Sequence, residues 1–197
     1  FDNTILPHTA KAILIHTADD LLPAGPDYKS GWGLVNGKKA IDFMTNTMYV
    51  NASKIKPIII NSKQTIIYDR FESNVNKIYK LDTTTVPTDL KLTLVWDDLP
   101  SIPGELTTDK ILKNNLDMWL KIGNNERKIR GWLLKPNTPL RDAAISTSAD
   151  DRNNVEMIQT VSTSMNQSIE IIVEPKSLSE FPQDFTLIVS KIPKIQR

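Results

Sequence analysis

The apolar positions of this chain change their rhythm near residue 48. Before it, Pro7 to Ala18 and Asn36 to Met44 carry apolar residues at helical spacing, and after it apolar segments alternate or run short. Pro7 suits the first position of a helix, where its missing N–H costs nothing, and Ala10, Ala12, Ile13, Leu14 and Ile15 make this helix apolar nearly all round. Such a helix calls for burial on several sides. Leu21 to Gly33, with Pro23, Gly25, Pro26, Gly31 and Gly33, reads as a turn-rich loop. Asn36 then offers its side chain as a cap for Gly37 to Met44, with Ala40, Ile41 and Met44 on one face.

From Lys56 onward, strands are expected at Pro57–Asn61, Gln64–Arg70, Asn76–Leu81, Leu90–Trp96, Leu116–Ile122, Lys128–Leu134, Val155–Val161, Ser168–Val173 and Phe185–Ser190. Clusters of Asp, Asn, Ser, Pro and Gly separate them, and no helical pattern intervenes. Leu90, Leu92, Leu94 and Trp96 alternate with Lys91, Thr93 and Val95, as in a strand with one wetter face. The pattern predicts a mainly β fold, an antiparallel β-sandwich preceded by two helices, with a boundary at Tyr49. Residues 1–48 then form one unit and residues 49–197 the other. The two helices of the first unit are expected to lack a core of their own and to become ordered only against a surface outside this chain.

Composition narrows the function classes. With 24 basic and 23 acidic residues the formal charge is +1, and no long single-sign run builds a field for nucleic acid. The absence of cysteine excludes disulfides, thiolate metal sites and a thiol nucleophile. Ala12–Ile15 and Ile58–Ile60 are far shorter than the roughly 18 apolar residues of a membrane helix, so no membrane partner is expected. The chain opens on Phe1 and Asp2, without an initiator Met or a signal peptide, and is read as an internal piece of a longer protein.

His8 and His16 are the only histidines, and no serine stands in a G-x-S-x-G elbow. A Ser-His-Asp site is therefore hard to assemble from these residues. Both histidines lie at helix ends, where an imidazole commonly bonds free backbone groups. Trp96, Trp119 and Trp132 could form a stacking platform for sugars, but Trp96 and Trp119 fall within apolar strands, where sheet packing is the competing reading.

Two stretches carry a family resemblance. AKAILIHTADDLLPAGPDYKSGWGLVNGKKAIDFM, Ala10 to Met44, with its centre GPDYKSGWGLVN at Gly25–Asn36, resembles the segment that closes the catalytic domain of subtilisin-like serine proteases. LKLTLVWDDLPS at Leu90–Ser101, ILKNNLDMWLKI at Ile111–Ile122, DDRNNVEMI at Asp150–Ile158 and DFTLIVS at Asp184–Ser190 resemble, in that order, the jelly-roll-like β-sandwich behind the catalytic domain in one bacterial branch of that family. Gly37 stands where the family usually has alanine. The resemblance implies that residues 1–48 end an α/β catalytic domain and residues 49–197 form its carboxy-terminal sandwich. It places the whole triad upstream of Phe1, so no catalytic residue lies in this chain.

The resemblance also implies partners and a cofactor. The partner is the upstream catalytic portion of the same protease, in the same or a cleaved chain, with protein substrates reached through it. The location is secreted or at the cell surface. Asp97 and Asp98, then Asn114, Asn115 and Asp117, then Asp150, Asp151, Asn153, Asn154 and Glu156 are clusters of hard oxygen donors. Calcium takes about six to eight such oxygens, and related proteases hold it in or near this appendage. The expected metal ligands are Asp97, Asn115, Asp117 and Asp151, although Asn115 stands where the family more often has aspartate. The competing reading is that Asp and Asn here only make turns. Against the protease reading stand a non-catalytic carbohydrate- or protein-binding module and a degenerate, inactive protease.

Overall fold

The computed structural model describes residues 5–21, 24–53, 58–81, 88–101, 110–124, 128–134, 144–145, 148–162 and 167–193. The expected positions Pro23 and Pro57 lie outside the described residues. Two helices, α1 (Pro7–Thr17) and α2 (Gly37–Thr45), precede a β-rich remainder. Its strands are β1 (Met48–Asn51), β2 (Ile58–Ile60), β3 (Gln64–Phe71), β4 (Lys77–Leu81), β5 (Thr88–Trp96), β6 (Asn114–Ile122), β7 (Trp132–Leu133), β8 (Ala144–Ile145), β9 (Val155–Ser162), β10 (Ile169–Leu178) and β11 (Gln183–Pro193). The protein is mainly β, as the alternation predicts.

The strands form a five-stranded sheet, β1-β3-β11-β5-β9, a four-stranded sheet, β2-β4-β10-β6, and the short pair β7-β8. Pairing is antiparallel along β3-β11-β5-β9 and β4-β10-β6. The expectation of a wholly antiparallel arrangement needs correction at two edges, since β1 pairs with β3 and β2 pairs with β4 in parallel. In both places a strand of the other sheet intervenes, β2 between β1 and β3 and β3 between β2 and β4, which supplies the crossover a parallel pair needs.

One apolar cluster joins the two sheets. Ile67, Phe71, Leu90, Leu92, Leu94, Trp96, Ile158, Phe185, Leu187 and Val189 come from the five-stranded sheet, and Tyr79, Leu116, Met118, Leu120, Ile169, Ile171 and Val173 from the four-stranded one. The even positions of β5 thus point inward, as their alternation requires. Each such side chain gains about 1.5–3 kcal/mol on full burial, so this cluster dominates the stabilisation.

The other face of β5 departs from the expectation of a wet surface: Thr93 and Val95 are both fully buried. The helices cover them. Ala12 and Ile13 of α1 and Ala40 and Phe43 of α2 pack on Ile66, Val95, Val155 and Ile188 from four strands of the five-stranded sheet. The two helices therefore find a packing surface within the chain, contrary to the expectation that they need one outside it. The reason is local: outward positions of β3, β5, β9 and β11 carry β-branched apolar side chains, which read as a wetter face only while lysines and threonines between them dominate the pattern.

The helix faces also differ from the sequence reading. In α1 the buried positions are His8, Thr9, Ala12, Ile13, His16 and Thr17, one stripe at helical spacing, whereas Leu14 is 42% exposed. In α2 the Asn36 side chain accepts from the Lys39 amide at 2.9 Å, the cap that was expected. Its buried residues are Ala40 and Phe43, and Ile41 faces out. Phe43 sets this face because its ring packs beside His16, at 5.2 Å between centroids.

The loop between the helices turns on glycine. Gly33 has φ +101°, and a Cβ there would lie 2.4 Å from the Asp19 carbonyl oxygen. That close approach lets Asp19 and Leu34 exchange two backbone hydrogen bonds at 2.8 Å. Trp32, between Gly31 and Gly33, packs against the cluster beneath the helices.

Candidate functional site

Two groups among the buried polar side chains of the described residues hold titratable side chains with hydroxyl or cationic partners. The first lies between α1 and the five-stranded sheet. His16 is 5% exposed; its Nδ1 is 2.8 Å from Thr93 Oγ1 and its Nε2 2.8 Å from Ser190 Oγ. Lys91 Nζ donates to the His16 carbonyl oxygen at 2.6 Å, supplying a partner to the helix end. Burial, and after it the nearby Lys91 charge, hold the His16 imidazole well below its ordinary pKa, so it is neutral at physiological pH. Thr9 Oγ1 meets Thr186 Oγ1 at 2.7 Å, and Lys11 donates to Asn154 Oδ1 at 2.9 Å. At the other end His8 Nδ1 is 3.1 Å from Asp97 Oδ2, and its ring stacks on Tyr68.

This seam answers the histidine question. Both imidazoles bond side chains, His16 on β5 and β11 and His8 just beyond the end of β5, where the sequence reading expects free backbone groups at the helix ends. Ser190 touching His16 has the distance of a nucleophile and its base, but the other ring nitrogen bonds Thr93, and Ser190 is only 6% exposed. The arrangement orients a helix on a sheet. A cleft of about 480 Å³ opens beside it, bordered by His16, Lys39, Phe43, Lys91 and Ser190.

The second group lies where β6 and β9 approach each other. Asp117 of β6 is fully buried, and Glu156 of β9 is 6% exposed. Glu156 Oε2 accepts from the Met118 amide at 2.5 Å. Burial, then the neighbouring Asp117, push the Glu156 carboxyl well above the ordinary range, and burial raises Asp117 as well. Arg130 Nη1 stands 3.2 Å from Asp117 Oδ2. Glu174 faces Asp117 directly across the β6-β10 ladder and is served by Lys176 at 3.0 Å and Lys128 at 3.7 Å.

Three of the four expected calcium ligands have separate side-chain partners. Asp97 meets His8, Asp151 meets Lys110, Asp117 meets Arg130, and the buried Asn115 Oδ1 takes no hydrogen bond. Among the described residues no three His, Asp or Glu side chains gather as a metal would require. The other oxygens make turns and ties. Asp98 accepts from the amides of Lys113 and Asn114 at 2.9 and 2.7 Å. Asp150 accepts from the amides of Arg152 and Asn153 and from the Asn153 side chain. Asn154 Nδ2 donates to the Trp96 carbonyl oxygen. Asn114 is buried, receives the Ser179 amide at 2.6 Å and donates to Gln183 Oε1 at 2.7 Å.

The tryptophans are engaged within the chain. Trp96 is fully buried and donates Nε1 to the Asn114 carbonyl oxygen at 2.8 Å. The Lys128 ammonium lies 4.4 Å from the Trp119 ring centre, and a Cβ on Gly25 would come within 2.8 Å of the Trp132 ring. These contacts leave no open aromatic strip formed by the three.

Arg130 is the residue the sequence reading missed. Lys128–Leu134 is expected as a strand, but only Trp132–Leu133 forms one, with Ile129 making an isolated bridge to Leu120. The available signal was Gly131, since a glycine within a strand pattern marks close backbone approach. A Cβ there would lie 2.1 Å from the Met157 carbonyl oxygen. Among the described residues no helix is long and apolar enough to cross a membrane. Comparison with models of known families and with curated proteins finds no match to this chain.

Proposed function

We propose that this chain is the carboxy-terminal portion of a subtilisin-like serine endopeptidase, secreted or at the cell surface, in which it stabilises or assists a catalytic portion carrying the triad. Residues 1–48 belong to the catalytic unit and residues 49–197 to the accessory β unit. The order of the motifs from Ala10 to Ser190 supports this reading. The observation that carries it is an uneven surface: among the described residues, ten of the fourteen exposed large hydrophobic side chains lie between Ile5 and Tyr49. Leu34, Val35 and Ile41 are each about three-fifths exposed, although neighbouring residues of the same segments pack on the sheet. Apolar surface concentrated on one segment marks a face that another protein surface covers. The covering surface in this reading is the rest of the protease.

Fluorophosphonate labelling of the native gene product, followed by peptide mapping, tests the proposal. Labelling on a serine preceding Phe1, with none on the isolated chain, is the expected result. Labelling within residues 1–197, or a native product that consists of these residues alone, overturns it.

A further inference from the structure

We propose that Arg130 is the resident cation of the Asp117 site and takes the place that the family resemblance would give to calcium. The inference concerns only this chain's own side chains and does not depend on the protease reading. Asp117 is fully buried and Arg130 is 7% exposed, so neither charge is screened by bulk water. Neither Asp117 oxygen has a well-aligned hydrogen bond, and the guanidinium at 3.2 Å meets the carboxylate chiefly as a charge. A lone buried carboxylate is strongly unfavourable, and a paired one is tolerated.

The neighbouring acids are already matched. Glu174, opposite Asp117 in the ladder, has Lys176 and Lys128; Glu156 has the Met118 amide. Calcium bound at Asp117 would need about six to eight oxygens at 2.3–2.6 Å and would sit beside a fixed guanidinium, two positive centres in a poorly screened place. Asp97 and Asp151 face His8 and Lys110 instead, and among the described residues no three His, Asp or Glu side chains gather around Asp117. Arg130 is delivered by the chain itself: the Ile129-Leu120 bridge fixes the residue before it, and Gly131 lets the backbone pass against β9.

Calorimetry on the full chain tests this, in millimolar calcium and in chelator. The wild-type melting curves should superimpose. Arg130→Met should lower Tm by about 10 °C, because it strands a buried carboxylate. Adding Asp117→Asn to it should recover part of that loss, or restore soluble folded protein if Arg130→Met alone does not fold. A wild-type Tm that rises with calcium, with the rise abolished by Asp117→Asn, overturns the proposal. So does a wild-type Tm in Arg130→Met, or a double variant no more stable than the single one.

Discussion

The two faces of the five-stranded sheet are buried in different ways. Its inner face meets the four-stranded sheet through a continuous apolar cluster built on Leu92, Leu94, Phe185 and Leu187. Its outer face meets α1 and α2 through a smaller apolar patch, bordered by the polar pairs Thr9-Thr186, His16-Thr93 and His16-Ser190. Apolar burial is non-directional and insensitive to protonation, whereas a polar seam depends on each group keeping its partner and its charge state. The inner face therefore holds the fold together, and the outer face fixes where the helices sit.

Truncation separates the two faces most strongly. Leu94→Ala removes a fully buried inner side chain and should cost about 2–5 kcal/mol in global denaturation, where cavity terms add to lost transfer energy. Phe43→Ala, on the outer face, should cost less than the 3–5 kcal/mol typical of Phe→Ala substitutions, about 2 kcal/mol, because the helices can loosen while the sheets stay folded. Chemical denaturation followed at the sheet and at the helices measures both. Equal losses, in one shared transition, would remove the distinction between the faces.

Much of this contrast is visible in the alternation of β5, where Leu90, Leu92, Leu94 and Trp96 declare the inner face. The outer face is not, because Lys91 and Thr93 look like solvent-facing residues. Only the fold shows Thr93 beneath His16 and Lys91 reaching the end of α1. Asn36 announces its cap through local chemistry. Ile41, by contrast, fits an apolar helix face as well as Phe43 does, and tertiary packing alone decides between them. The parallel edges β1 and β2 are four and three residues long, too short for a period to declare their partners. The acidic loops show their oxygens in sequence but conceal their partners: Arg130, His8 and Lys110 come from elsewhere in the chain.

A smaller effect, opposite in sign at the two places, comes from pH. His16 has a depressed pKa in the fold, so its contribution to stability is present above the unfolded value of about 6.5 and is lost as pH falls through the folded value. Glu156 is raised, so its contribution is present below the unfolded value of about 4.3 and is lost as pH rises through the folded one. His16→Gln should flatten the decline of Tm on the acid side of neutrality. Glu156→Gln should instead flatten the decline on the alkaline side. Melting curves across pH 4–9 read both slopes, and identical pH profiles in wild type and variants would contradict the assigned protonation states.

The central claim is that α1 docks on the outer face of the sheet within this chain, so its own amides decide the matter. Hydrogen exchange on the monomer should show Ala12, Ile13 and His16 protected well above the unfolded chain, though less than Leu92 to Leu94 and Leu187 to Val189. Exchange of α1 at unfolded-chain rates beside fully protected β5 and β11 would contradict the account, because the seam and the patch beneath it would then not hold the helix.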